Sequence, residues 1–182
     1  MKIIETGSTD PSYNLALEEY LFDRLESRED DLFLLWQNDP TIVVGRFQNT
    51  LEEVNTTFVE QNKIQVVRRI SGGGAVYHDM GNLNYTFIAH TGKDHDFDFG
   101  RYTAPIIDIL KNLGVDAAFT SRNDVTIEGK KFSGNAQYMR KGKLLHHGTL
   151  LFDSDLSILA KALRTSSDKF VSKGIKSIRS RV

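Results

Sequence analysis

The run Arg68-Arg69-Ile70-Ser71-Gly72-Gly73-Gly74-Ala75-Val76-Tyr77-His78-Asp79 is the densest concentration of chemistry in this chain of 182 residues. Three consecutive glycines let the backbone approach a ligand closely and turn its N–H groups toward an anion, as a phosphate nest requires. The two arginines at the start of the run supply cations able to pair with a carboxylate or a phosphate. The segment fits neither G-x-x-x-x-G-K-[ST] nor a G-x-G-x-x-G that opens a helix, so a nucleotide bound here is held by another design. A flexible loop beside a solvated arginine pair is the competing reading.

A second group is Ser121-Arg122-Asn123-Asp124, with Lys131 following in Lys130-Lys131-Phe132-Ser133-Gly134-Asn135-Ala136. An aspartate at the start of a strand can hold Mg²⁺, which requires oxygen ligands, and a lysine across a hairpin can reach the same phosphates. Taken singly, these residues read equally as a turn former and a solvated lysine. The third group is His146-His147-Gly148-Thr149, inside an otherwise apolar run. Neighbouring strand residues face opposite sides of a sheet, so the two imidazoles do not share a site. One inward-facing histidine that hydrogen-bonds a ligand or the backbone is expected, against the alternative of a satisfied core histidine.

Composition narrows the chemistry further. With 23 Lys+Arg against 24 Asp+Glu, the formal charge of -1 gives no broad basic surface for nucleic acid. Cysteine is absent, which removes disulfides, thiolate metal sites and cysteine nucleophiles together. The N-terminus carries no charged-then-apolar signal segment and no run of about 18 apolar residues occurs, so no membrane partner is expected and the expected address is cytoplasmic.

These groups need positioning elements. Asp10-Pro11 reads as an N-cap and first helical residue, with Tyr13, Leu17, Leu21 and Leu25 as an apolar stripe. Leu32 to Trp36 and Thr41 to Val44, separated by Asn38-Asp39-Pro40, read as a β-hairpin. Asn55 caps a short helix through Asn62, Ile64 to Arg69 is a strand that feeds the glycines, and Leu83 to Ala89 is the next strand. Ile106, Leu110 and Leu113 mark a helix that stops at Gly114, and Val115 to Thr120 is a strand. Hairpins are expected around Gly129 and Lys141-Gly142, and Asp153 or Ser154 caps a last helix through Leu163. The sum is an α+β domain with a mixed, mostly antiparallel sheet flanked by helices. Residues 164 to 182, which include six Lys/Arg, end at Ser180-Arg181-Val182 without a recognisable stop, as if the chain were cut there.

In order and spacing, the glycine run, Arg122-Asn123-Asp124, the Lys131 motif and His146-His147-Gly148-Thr149-Leu150 resemble lipoate–protein ligase A. Tyr13-Asn14-Leu15-Ala16-Leu17-Glu18-Glu19 and Val44-Gly45-Arg46-Phe47-Gln48-Asn49 are also similar to that family, so the resemblance runs from about residue 10 to the end. It implies a catalytic domain of the biotin/lipoate ligase type, related to class II synthetases, over residues 1–182. It further implies ATP-dependent activation of lipoate to lipoyl-AMP, with Mg²⁺, and transfer of the lipoyl group to a lysine of a carrier. The implied carriers are the lipoyl domains of 2-oxoacid dehydrogenase complexes and the glycine cleavage H protein.

By motif, the resemblance makes Lys131 the active-site lysine, touching the lipoyl carbonyl and the α-phosphate. Arg69, Ser71, Gly73, Gly74, Ala75, Val76, Tyr77, His78, Asn82 and His147 become ATP- and lipoate-binding residues, and Asp124 the Mg²⁺ ligand. Single-chain bacterial members continue past the equivalent of Val182 into a smaller accessory domain involved in adenylation, which some archaeal members carry on a separate polypeptide. That domain is absent from this sequence, which implies a chain impaired in adenylation alone but able to transfer from supplied lipoyl-AMP. An ATP-independent lipoyl transferase and a non-catalytic module that holds lipoate or a lipoyl domain are the alternatives. The family's octanoyl transferases act through a cysteine that this chain lacks.

Overall fold

A computed structural model of the chain describes residues 1–26, 30–91, 97–120 and 123–163. Arg122 and the basic stretch 164–182 lie outside the described residues. Ten strands and five helices follow in the order β1 (Lys2–Glu5), α1 (Pro11–Arg24), β2 (Leu32–Trp36), β3 (Thr41–Val44), α2 (Thr50–Glu53), α3 (Thr56–Gln61), β4 (Gln65–Arg68), β5 (Val76–His78), β6 (Asn82–His90), α4 (Phe99–Asn112), β7 (Ala117–Phe119), β8 (Asp124–Ile127), β9 (Lys130–Arg140), β10 (Lys143–Leu151) and α5 (Leu156–Ala162). They form a seven-stranded sheet, β1-β2-β6-β10-β9-β8-β7, and a three-stranded sheet, β4-β3-β5. Among the described residues only the β1–β2 and β3–β4 pairs are parallel, so the expected mixed, mostly antiparallel α+β architecture is what forms.

The local signals explain most of the elements. Asp10 caps α1 by accepting from Ser12 N at 2.8 Å and Tyr13 N at 3.0 Å. Asn55 caps α3 and Asp98 caps α4 in the same way. α4 stops at Gly114, whose φ of +83° suits glycine. The last helix is capped by Asp155, which accepts from Ser157 N at 2.9 Å, and not by the expected Asp153 or Ser154.

Two expectations fail for a shared reason. The buried face of α1 carries Asn14, Glu18, Phe22 and Leu25, whereas Tyr13 is 52% exposed. Of the expected stripe, Leu21 and Leu25 pack into the core, but two polar residues, Asn14 and Glu18, occupy the rest of the buried face and are satisfied there. The expected hairpin does not form either, for β2 lies in the large sheet and β3 in the small one. Asn38 between them is fully buried, taking the Asn14 amide at 3.0 Å and donating to His78 Nδ1 at 3.1 Å. The segment is thus a crossover pinned to the start of α1, where a surface turn would have left those polar groups to water.

Three of the four apolar clusters among the described residues lie between the layers named so far. α1 covers one face of the large sheet through Phe22 and Leu25 on Leu32, Leu34, Ile88 and Leu145. α4 covers the other through Tyr102 and Ile106 on Tyr85, Phe87, Ala89 and Leu144. The small sheet packs through Ile42, Val44 and Tyr77 against Val59 of α3 and Ala162 of α5. An open cleft remains between the small sheet and the α1 side of the large one.

Candidate active site

The cleft holds about 290 Å³, and its floor is read from the register of the large sheet. Directly opposed residues share a face, so Trp36, Asn84 and Thr149 form one transverse row. The row continues through Gly134, whose N–H donates to Thr149 Oγ1 at 3.2 Å, to Asp124. All five line the cleft. At about 4.8 Å per strand the row spans about 19 Å, from an indole at one end to a charged pair at the other. The next row along the same face is Leu34, Thr86, His147 and Ala136, and the one beyond it, Leu32, Ile88, Leu145 and Tyr138, is closed over by α1.

At the charged end, Lys131 Nζ lies 2.7 Å from Asp124 Oδ1, with the two side chains 18% and 23% exposed. The ammonium hovers over Gly134, where a Cβ would stand 3.2 Å from it, so the glycine keeps the lysine close to the floor. Asn123, beside Asp124, is tied down by a reciprocal pair of bonds, its Nδ2 donating to Asn135 O at 2.6 Å and its carbonyl accepting from Asn135 Nδ2 at 3.0 Å. Asn135 Oδ1 in turn accepts from the Tyr85 hydroxyl at 2.5 Å.

The glycine segment forms the roof. Gly73 has φ +98°, a conformation that costs an L side chain about 1–2 kcal/mol, and its carbonyl lies so close to Gly45 that any Cβ at 45 would overlap it. Gly73, Gly74, Ala75, Val76 and His78 line the cleft as expected. Tyr77 does not: with Val76 and His78 turned to the cleft, strand alternation sends it into the core behind. Ser71 is fully buried and Asn82 likewise, and neither reaches the lining. Asn84 takes the place expected of Asn82, which donates to Asn84 Oδ1 at 2.8 Å and so orients it.

The two arginines are employed differently from the sequence expectation. Arg68 donates to Gly45 O at 2.7 Å, Gln48 O at 2.9 Å and Thr50 Oγ1 at 2.8 Å, holding the loop after β3. Arg69 lines the cleft yet is 7% exposed, and its N–H groups go to Val43 O, Gly72 O, Gly74 O and Ser71 Oγ at 2.7–3.2 Å. It is the clamp that shapes the glycine segment. Burial pulls the guanidinium down to about 10, partly offset by the negative charge of Glu18.

The histidines separate as alternation requires. His146 points to the α4 side, boxed by Tyr85, Phe87, Phe99 and Tyr102, where Gln137 Nε2 donates to its Nδ1 at 2.8 Å. Burial, with a smaller contribution from His147, pulls its titration down to about 3, so it is a neutral core histidine at ordinary pH. His147 points to the cleft side, and both of its ring nitrogens meet protein: Nε2 is 2.6 Å from Ser71 Oγ and Nδ1 is 3.2 Å from Glu18 Oε1. The geometry looks like a hydrolytic Ser-His-Glu triad, but Ser71 is closed off from the cleft and accepts an Arg69 hydrogen at 3.1 Å, so no nucleophile is presented. Glu18 carried no signal in the sequence beyond lying in the Tyr13–Glu19 motif.

The family model for the lipoyl protein ligase A/B catalytic domain matches residues 10–182. The chain is 51% identical over 95% of its length to the lipoate-protein ligase LplJ of Bacillus subtilis, and 48% identical over its whole length to lipoate–protein ligase 1 of Staphylococcus aureus. It covers 52% and 56% of those two proteins, so it spans about half the length of the curated relatives it matches. Among solved structures, a lipoate-protein ligase A bound with ATP superposes with a TM-score of 0.79 at 30% identity, covering 91% of this chain and 71% of that one. A structure from the archaeal lipoylation system of Thermoplasma acidophilum, a bipartite lipoate protein ligase and its E2 lipoyl domain, gives 0.80 at 31% identity over 93% of this chain and 67% of that one.

Proposed function

The chain belongs to the lipoyl protein ligase A/B catalytic-domain family, and on that premise we propose that it activates lipoate with ATP to lipoyl-AMP and passes the lipoyl group to a lysine of a lipoyl-domain carrier. The observation that carries this reading is the floor of the cleft, apolar at Trp36 and charged at Lys131–Asp124, with a neutral amide and hydroxyl between. An acyl chain lies along such a floor with its carboxyl toward the lysine. One superposed relative is bound with ATP, and another belongs to a lipoylation system together with its E2 lipoyl domain.

Lys131 is the catalytic group in this reading. A carboxylate and a triphosphate repel each other, and the ammonium offsets the charge that builds on the acyl oxygen and α-phosphate as one attacks the other. Its position over Gly134 lets it leave Asp124 for those oxygens without moving the backbone. Arg69 acts one step back, keeping the glycine roof in place.

Asp124 fits Mg²⁺ by donor type, since that ion takes hard oxygens and is usually held by one or two carboxylates with substrate phosphates supplying the rest. Among the described residues no cluster of three or more His, Cys, Asp or Glu could cage a metal. When bound, Mg²⁺ supplies charge compensation for the phosphates. The implied accessory domain, on this chain's continuation or on a separate polypeptide, completes the adenylation step in this reading. Lipoyl domains of 2-oxoacid dehydrogenases and the glycine cleavage H protein are the proposed carriers. Among the described residues no helix is long and apolar enough to cross a membrane.

The test mixes the protein with ATP, Mg²⁺, lipoate and an apo lipoyl domain, following carrier mass and pyrophosphate, with a parallel arm given lipoyl-AMP. Modified carrier in the second arm alone assigns transfer to these residues and makes adenylation depend on an accessory domain. No modified carrier in either arm, even with a separate accessory domain supplied, refutes the reading. Lys131→Ala is expected to lower the rate by about 10²–10³-fold, and full activity in that variant refutes the role of the lysine.

A further inference from the structure

A line of buried hydrogen bonds runs beneath the cleft and connects its two walls. Trp36 Nε1–H donates to Thr86 Oγ1 at 2.9 Å, and Thr86 donates to Glu18 Oε1. The line continues through His147, with Nδ1 3.2 and 3.3 Å from the two Glu18 oxygens, to Ser71 Oγ, which also takes the Arg69 Nε hydrogen. Glu18 is 1% exposed, and Thr86 and Ser71 are fully buried.

Its polarity is fixed from both ends. Indole and guanidinium N–H groups only donate, and a carboxylate only accepts. Ser71 carries one hydroxyl hydrogen in a site closed to water, and His147 Nε2 is the partner within reach to accept it. Every hydrogen then finds an acceptor in one arrangement, with the imidazole hydrogen on Nδ1, facing Glu18. The opposite tautomer removes Nε2 as the acceptor of the Ser71 hydrogen and leaves Nδ1 against the carboxylate, lone pair to lone pair.

We propose that Glu18 is a positioning residue of the acyl site, fixing His147 as its Nδ1-protonated form and thereby holding Ser71 and the glycine roof at a set height above the floor. The same carboxylate steadies the far end of the slot through Thr86 and Trp36, so one buried charge sets both the roof and the end wall. This role in acyl binding rests on the function proposed above, whereas the hydrogen-bond assignment does not.

Glu18→Gln tests it, because the amide keeps the shape and can still accept from Thr86 while turning N–H hydrogens toward His147. The expected result is that the His147 hydrogen moves from Nδ1 to Nε2, read from the imidazole ¹⁵N resonances. Amide exchange across residues 71–75 rises about tenfold, and kcat/KM for the acyl substrate falls by about 10–100-fold with the KM for ATP unchanged. Ser71→Ala is the companion, expected to loosen the same amides while His147 keeps its hydrogen on Nδ1, because Glu18 is still present. Retention of the Nδ1 hydrogen in Glu18→Gln, or its loss in Ser71→Ala, overturns the proposal, and the second result stands even if the first variant does not fold. The resonance and exchange measurements need no substrate, so they decide the role of Glu18 even if the chain attaches no lipoate, which would refute the acyl reading alone.

Discussion

Replacing His146 by Phe should remove a defined part of the acid sensitivity of this fold. His146 is fully buried among four aromatic rings, and burial lowers its titration from 6.5 to about 3. The folded chain therefore keeps it neutral while the unfolded chain protonates it below about 6.5, so the unfolded state binds the extra proton across the window between those values. Stability from this group is fully present above about 6.5 and is lost progressively as pH falls toward about 3. At pH 5, about 1.5 pH units into the window and 1.36 kcal/mol per unit, the loss relative to pH 8 is about 2 kcal/mol. For a domain of this size that is about 4–8 °C in Tm.

Urea unfolding of the wild type and His146→Phe at both pH values isolates the effect. The phenyl ring fits the aromatic box, and the Gln137 amide keeps its bond to Asp98 O at 2.9 Å. The variant loses about 1 kcal/mol at every pH from the missing Gln137 bond. Contributions of all other titrating groups cancel in the difference, leaving a pH 8 to pH 5 change about 2 kcal/mol smaller in the variant. An identical pH dependence in the two proteins refutes the reasoning, as does an imidazole resonance of His146 that titrates near neutrality.

Gly148→Ala should lower stability by about 1–3 kcal/mol, because a Cβ there overlaps Asn135 Oδ1 and comes within 2.6 Å of the Tyr85 hydroxyl. Since Asn135 anchors the residue next to Asp124, ATP-dependent activity should fall as well, measured by pyrophosphate release alongside a thermal melt. Arg69→Lys keeps the charge but not the fork, so at least two of the carbonyls at Val43, Gly72 and Gly74 lose their partner. A loss of about 3 kcal/mol in urea unfolding is expected, and a neutral substitution would show that the clamp carries no stability. Gly73→Ala meets both the positive φ and Arg69 Nη2 at 2.9 Å, and about 1–3 kcal/mol of strain should appear with weakened acyl binding by calorimetry.

The short-range chemistry was legible in the sequence. Caps at Asp10 and Asn55, the stop at Gly114 and the turns at Gly129 and Lys141-Gly142 depend on neighbours within four residues, and all appear where their signals lie. The opposite facing of His146 and His147 followed from the strand period alone. The motif spacing placed Lys131 and Asp124 together before any coordinates, and they meet at 2.7 Å.

Tertiary structure decided what those residues face. Glu18 meets Thr86 across 68 residues of sequence and His147 across 129, and no local period reports a carboxylate that is satisfied from so far away. That is why the apolar stripe marks only part of the buried face of α1, at Leu21 and Leu25, and why β2 and β3, adjacent in sequence, lie in different sheets. The same distance effect converted Arg68 and Arg69 from free cations into clamps, because only the folded chain brings the carbonyls of two loops to their guanidinium groups. Hydrophobic pattern marks which side chains leave water, but a buried polar group leaves water only with a partner, and that partner is chosen by the fold.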